Sequence, residues 1–565
     1  MKLRKEIGSK IWNVLPWLWL AGGFAVMLLY HIGPGRALVD GDMAGEMILA
    51  DLLNQEGSFL LSDNWYYATE IHVFFMQLVF RPFLLLFPDN WHLVRVLSMA
   101  VIYAVNTTGY LFLCKQIGAK DNGIWSAAAL MWPVGMWRLF LGLYGGQYLV
   151  YDFFTCYILG LLFYLSNRSW KGKEKKDKAK MVLAGAVLLF LALAGGINGV
   201  RETMMLFMPA GLGVFSVFIL HCYKKGVSTI REIPVKCRQE LRTLLWMAAA
   251  VVFNVLGYGY NVLVLLKKYE FQSNTTMKLA DSLSIGRVLD SISEYFGLFG
   301  YGGNVKLFSI RGICCACGIL LAVLLFLVVI RLFFLKNHMT LNQEIIFASF
   351  ICGLFACSLA FGHMEEMNEP RFWLPFMIFG FMVFQIEGDV ENFRIPHLRG
   401  IAGIVLAGLI MTASVGTVKT QIEFPHQGKT KNLNIALFLK ENDYVDGYAD
   451  FWLANSIIEL TDGAVQARPL MYQETFEPMA WSNRIDYVTA MPEGSVFYVA
   501  DKKSFPGDIN ECCFYKYGNG TVVFDDDDWL VLSFDHASQM QQAYETALAN
   551  EEVKNQAARL EESNQ

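Results

Sequence analysis

Charge is what this chain has least of over most of its length. Charged residues make up 17% of 565, and long stretches between positions 11 and 417 carry almost none. Uncharged runs of that length exclude an ordinary water-soluble enzyme. A Gly-rich loop ending in Lys-Ser or Lys-Thr is missing, which argues against nucleotide hydrolysis. No internal repeat of the kind that builds inverted-repeat transporters is visible. The eleven cysteines make no disulfide framework: most lie inside apolar segments, and Cys512 and Cys513 are chain neighbours, a spacing that strains a bridge. Cys314, Cys315 and Cys317 lack a second pair at zinc-ligand spacing and read as apolar packing. The net charge is only -5 and the basic residues gather in short loops, so no nucleic-acid partner is expected.

What is present is a succession of apolar runs of about 17 to 25 residues, the length that crosses roughly 30 Å of hydrocarbon. They fall near 11–32, 93–114, 123–141, 150–166, 181–199, 203–222, 243–266, 308–330, 343–361, 371–386 and 400–417, about eleven crossings. The apolar stretch 71–87 is broken by His72, Gln77, Arg81 and Pro82 and is expected to be a re-entrant or interfacial helix. Lys2, Arg4, Lys5 and Lys10 precede the first run, which is expected to be a retained anchor with a cytoplasmic N-terminus. The basic run 168–180 and the segment 224–242, themselves expected on the cytoplasmic side, then fix the rest of the topology. An odd number of crossings puts residues 418–565, which have the composition of a soluble α/β unit, on the outer side. The expected division is a membrane unit, 1–417, with an outer loop at 33–92, followed by that soluble unit. Short loops and the lack of a Lys-Asp-Glu-Leu tail point to a bacterial plasma membrane.

This threading collects the polar residues on one face. Asp40, Asp42 and Glu46 follow the first crossing; Asp152, Arg201, Glu202, Glu369 and Arg371 fall on the same side. Carboxylates at a membrane face are costly unless solvated, paired or used. From Asp42 onward, Met43, Met47, Ala50 and Leu53 follow helical spacing, so Asp42 lies near a helix start and Glu46 one turn on. Asp42 reads either as a helix cap or as half of a two-carboxylate site. Asp152 likewise reads as a cap or a second site acid. Arg371 reads as an ion pair with Glu369 or Glu366, or as a phosphate ligand. Tyr67, Glu70 and His72 open the 71–87 segment, where aromatics usually form an interfacial belt but also stack on sugars.

Asp40-Gly41-Asp42, followed by an amphipathic helix that ends at Gly57, resembles the first outer loop of the GT-C superfamily of membrane glycosyltransferases, of the protein mannosyltransferase and aminoarabinose transferase kind. Asp152 matches a second outer-loop acid of that family, and Arg371 to Pro375 resembles its late Arg-Tyr-x-x-Pro segment, with Phe372 in the Tyr position. The departure is Met43, where many members carry Glu. The resemblance implies a polytopic α-helical membrane protein with a C-terminal extracytoplasmic α/β domain. It implies an inverting transferase that uses a polyprenyl-phosphate sugar donor and a glycan, lipid or protein acceptor of the cell envelope. Asp42, Asp40, Glu46 and Asp152 become candidate catalytic acids; Arg371, Arg201, Glu369, His363, Glu70 and Tyr67 become candidate substrate-binding residues. Asp40 and Asp42 would hold Mg2+ or Mn2+ if the reaction needs a metal. The competing reading is a transporter or flippase of lipid-linked sugars, or an inactive scaffold of the same family.

Overall fold

The computed structural model describes residues 2–169, 174–272, 284–300, 305–306, 308–335, 338–364, 369–390, 398–423 and 430–563. Glu365 and Glu366 lie outside the described residues. Ten helices among them are long and apolar enough to cross a membrane: Asn13–Ile32, Trp91–Ile117, Gln147–Ser166, Lys175–Ile197, Thr203–Lys224, Arg238–Lys268, Ile310–Leu335, Leu341–Gly362, Pro370–Val390 and Ile401–Ile422. The chain is a multi-pass membrane protein.

The first helix, α1 (Lys2–Ile32), is followed by α2 (Gly41–Glu56), α3 (Gln77–Leu86), α4 (Trp91–Ile117), α5 (Ile124–Leu130) and α6 (Gln147–Ser166). The run expected to cross at 123–141 is not one helix. Pro133 lacks a backbone N–H, and the helix stops at α5. The path resumes as a wide helical turn, Arg138–Tyr144, continued by the Gly145 N–H bond to Phe140 O, five residues back. This interrupted segment still spans the bundle. The start of α4 meets the C-terminal unit through the Trp91 N–H bond to Asp462, and its end meets Asn167 through Gln116 O. The start of α6 donates from Gln147 to Asp42 O, and its end leads into Asn167. α4 and α6 therefore run in the same direction side by side, and 118–146 must return across the bundle. Such broken backbone is tolerated at membrane depth when protein covers it, and residues 127–135 are buried throughout.

The stretch 71–87 forms only the ten-residue α3, about 15 Å long and too short to cross. Leu85 and Leu86 at its end are 69% and 67% exposed, so its outer face offers apolar side chains at the end of the bundle. The aromatics before it are not a belt. Trp65 and Tyr67 are buried in strand β1 (Trp65–Ala68), which pairs in parallel with β2 (Phe271–Gln272) and antiparallel with β5 (Asn483–Arg484). Three remote segments of chain are stitched together there.

The C-terminal unit is a five-stranded sheet in the order β4-β3-β6-β8-β7. Its strands are β3 (Asp446–Asp450), β4 (Gln466–Leu470), β6 (Val496–Asp501), β7 (Thr521–Asp525) and β8 (Trp529–Phe534). β3 and β4 are parallel and joined by the tail helix Phe451–Leu460, a βαβ unit. β6 alternates as a strand must: Phe497 and Val499 join the core shared with the bundle, while Val496, Tyr498 and Ala500 face a second core under the helix Ala537–Ser563. That helix continues beyond Met540 to Ser563. The eleven cysteines are all free thiols.

Candidate active site

The acidic loop is shaped by the two ends of α2. Asp40, rather than Asp42, is the cap: its Oδ1 accepts the Met43 N–H at 2.9 Å with extended backbone, and the side chain is buried. Gly57 closes the helix in the left-handed conformation, φ 67°, where a Cβ is disfavoured. Asp42 falls in the first turn and Glu46 one turn on, so both project on one side of α2.

That side faces an open cleft of about 360 Å³, its mouth included, lined by Asp42, Glu46, Trp65, Glu70, His72 and Ser482 together with Tyr67. The two acids of α2 meet Glu70 and His72 from the segment after β1, and the C-terminal unit supplies Ser482 as a further wall. Burial, with Asp42 alongside, pushes the Glu46 carboxyl up to about 8, so Glu46 is neutral at pH 7. Burial also raises Glu70, but His72, Arg201 and the Val200 N–H outweigh it and hold Glu70 below the ordinary carboxylate range. Its Oε1 accepts that N–H at 2.8 Å, and its Oε2 stands 3.5 Å from His72 Nε2. Glu70 is aimed by a tight three-residue turn: its N–H bonds to Ala68 O at 2.6 Å, and Thr69 between them has φ 61°, strained for a β-branched residue. Gly199, φ 115°, leaves the space the Glu70 carboxylate occupies.

Behind this wall, His72 stacks on Phe75 with ring centroids 4.2 Å apart and lies 3.4 Å from the Tyr151 hydroxyl. Arg201 donates to Tyr148 Oη at 3.2 Å and lies over the Tyr148 and Tyr151 rings. Arg201 is thus a cation at the back of the cleft, tied through aromatics to the His72–Glu70 pair.

Other sequence candidates lie elsewhere. Asp152 is buried inside α6 and paired with Arg138 at 2.8 Å, Arg138 donating also to Leu130 O. Arg371 pairs with Glu369 at 2.5 Å and covers the Phe372 ring, both partners about two-fifths exposed, on the helical turn Pro370–Phe376 that packs against α6. His363 ends the helix Leu341–Gly362. Tyr67 turns its hydroxyl away from the cleft, to Ser62. Asp40 Oδ1 is taken by the cap and Asp40 does not line the cleft with Asp42, so the two carboxylates are not presented together to a divalent ion there. Among the described residues no group of three or more His, Cys, Asp or Glu is arranged to hold a metal ion.

Sequence reasoning missed Ser482, which sits in a polar stretch without strand alternation, more than 400 residues from Asp42. It also missed Arg95, whose guanidinium reaches Met43 O at 3.0 Å. A signal existed for Arg95: a lone arginine within a membrane-length apolar run is costly without a task.

No family model and no curated protein matches this sequence. Solved structures do. ArnT of Cupriavidus metallidurans bound to undecaprenyl phosphate aligns over 91% of this chain and 98% of its own, at 11% identity and TM-score 0.52. The same protein in the apo state aligns with the same coverage at 10% identity and TM-score 0.50. The Archaeoglobus fulgidus oligosaccharyltransferase tethered with an acceptor peptide aligns over 86% of this chain and 69% of its own, at 12% identity and TM-score 0.45. At these identities the likeness is one of architecture, and it extends across both the bundle and the C-terminal unit: the chain shares the fold of the ArnT structures.

Proposed function

We propose that this protein is an inverting membrane glycosyltransferase that moves a sugar from a polyprenyl-phosphate donor to a hydroxyl-bearing acceptor of the cell envelope. The observation that carries the reading is the cleft itself. It brings Asp42, Glu46, Glu70 and His72 together at one end of the bundle, with a cation, Arg201, behind them. Asp42 takes the proton of the acceptor hydroxyl as that oxygen bonds to the anomeric carbon. The bond from that carbon to the phosphate oxygen breaks, and its electron pair leaves with the polyprenyl phosphate. Neutral Glu46 spares Asp42 a second negative charge one helical turn away. Arg201, behind the Glu70–His72 pair, is the cation proposed to stabilise the leaving phosphate. The fold of a protein bound to undecaprenyl phosphate supports a lipid-linked donor.

The same reading places the cleft on the outer face of a bacterial plasma membrane, with the N-terminus cytoplasmic, and divides the chain into a catalytic bundle, 1–417, and an outer α/β unit, 418–565. The experiment is release of polyprenyl phosphate from a panel of polyprenyl-phosphate sugars by the protein in lipid nanodiscs. Loss of the base in Asp42→Asn is expected to slow turnover roughly 10²- to 10⁴-fold in a folded protein. Turnover that survives the substitution would overturn the assignment of Asp42. Absence of turnover by the unsubstituted protein with every donor, cell-envelope extract being supplied as acceptor, would overturn the transferase reading.

A further inference from the structure

The acidic turn of α2 does not hold its own orientation. Its backbone carbonyls are taken up from outside by four side chains belonging to three other parts of the chain. Ser456 Oγ donates to Val39 O at 3.0 Å, and Asn455 Nδ2 to Gly41 O at 3.3 Å. Gln147 Nε2 donates to Asp42 O at 3.2 Å, and Arg95 Nη2 to Met43 O at 3.0 Å. The remaining carbonyl of the series, Asp40 O, accepts the Ala44 N–H at 2.9 Å. Each carbonyl has two lone pairs, so these bonds add to the helix's own. Arg95 is in turn gripped by Glu459, through Nε at 2.5 Å and Nη2 at 2.7 Å, with both side chains buried.

Three of these groups, Asn455, Ser456 and Glu459, stand on the tail helix Phe451–Leu460 at spacings that share one helical face. The contact is close because α2 presents Gly41 and Gly45, four residues apart. A Cβ on Gly41 would come within 2.7 Å of Phe451 O, and one on Gly45 within 3.3 Å of Ser482 O. Asp42 and Glu46 each follow one of these glycines. At 100° per residue, the docking stripe fixes the direction of the acidic stripe beside it. Asn455 ties the two together, its amide also donating to Ser482 O at 3.2 Å, on the far wall of the cleft.

We infer that the C-terminal unit is part of the catalytic apparatus, and that Asn455 is a positioning residue that sets the aim of Asp42 and Glu46 and the width of the cleft between α2 and Ser482. The inference rests on the transferase reading for its kinetic consequence but not for its structural one, and the test separates them. Full-length protein in nanodiscs is compared with Asn455→Ala and with Asn455→Gln, which keeps a carboxamide donor. Two quantities are read: kcat and donor KM for polyprenyl-phosphate release, and hydrogen–deuterium exchange of the amides at 43–46. Positioning predicts that Asn455→Ala lowers kcat by on the order of 10²-fold, the cost of a small misplacement of reacting groups. Donor KM stays within about twofold of the unsubstituted value, because the loss falls on the transition state. Exchange at 43–46 rises while that of α3 does not, and Asn455→Gln recovers part of both. Unchanged kcat together with unchanged exchange overturns the inference. If neither Asn455 variant folds, Ser456→Ala, which removes a single bond, decides by the same two readouts. If the unsubstituted protein turns over no donor, the transferase reading falls, and the exchange result alone upholds or overturns the clamp.

Discussion

Glu46 is the carboxyl of the cleft whose environment makes the sharpest demand on pH. Its carboxyl is raised from an ordinary 4.5 to about 8, first by burial and then by Asp42. Between those two values the unfolded chain has lost this proton and the folded chain has kept it, so the unfolded state binds fewer protons and stability falls as pH rises. Below 4.5 both states are protonated and above 8 both are ionised, and this contribution is flat. Asp42 and Glu46 ionised together would also repel within one turn, so turnover is expected to fall as pH passes about 8. Glu46→Gln fixes the neutral form: it is expected to keep most of the activity at pH 7, to flatten the alkaline limb, and to lose less thermal stability between pH 5 and 8. Paired pH–rate and melting series check all three, and an unaltered alkaline limb would assign it to another group. The i, i+4 pairing of these acids was legible in the sequence, because it depends only on helical pitch. Which acid caps the helix was not, since a boundary shift of two residues exchanges a cap for a site residue. Nor was the partner of Asp152 legible: Arg138 reaches it only because the chain breaks near Pro133 and turns back.

At the scale of elements, the long apolar runs announced themselves and the short ones were ambiguous. Ten crossings follow from length and hydropathy. The eleventh passage, through α5 and the wide turn after it, had the right length, but periodicity could not reveal the interruption, because buried backbone in a bundle needs no uniform helix. The 71–87 stretch does form only a short helix, α3, at the end of the bundle, although Arg81 and Pro82 lie inside that helix and do not end it. Pro82 lies inside the helix, where it leaves Leu78 O without the bond that an N–H at position 82 would make. Leu85 and Leu86 are left mostly uncovered by the described residues. They are expected to insert into the lipid headgroup–acyl boundary, burying about 5–10 Å deep as interfacial helices do. A fluorophore on Leu86→Cys should be quenched strongly by brominated lipid in nanodiscs, and one on Asp89→Cys, three residues on, only weakly. Equal quenching would mean that α3 stands clear of the bilayer.

For the whole molecule, the membrane bundle and the sheet-bearing unit meet through contacts that no local pattern announces. Arg95 and Glu459 are 364 residues apart, and Val39 and Ser456 are 417 apart. On the tail helix Asn455, Ser456 and Glu459 read as ordinary polar positions, because their partners exist only after the bundle has formed. The composition shift near 418 was legible; that the unit beyond it would be bound to the end of the bundle that carries the cleft was not. The buried Arg95–Glu459 pair bears on whether this docking is stable. Taking both charges out of water is costly, and a pair bonded on two sides roughly offsets that cost, whereas removing one partner strands the other. Arg95→Met and Glu459→Leu alone are each expected to cost about 3–5 kcal/mol, and the double substitution much less. Melting of the four proteins in nanodiscs checks this, with exchange at 43–46 reporting whether the acidic turn loosens with the docking. Because Arg95 also holds Met43 O, the double variant should recover stability without recovering the full turnover rate. Recovery of both would reduce the pair to an anchor for the C-terminal unit, with no part in aiming the acids.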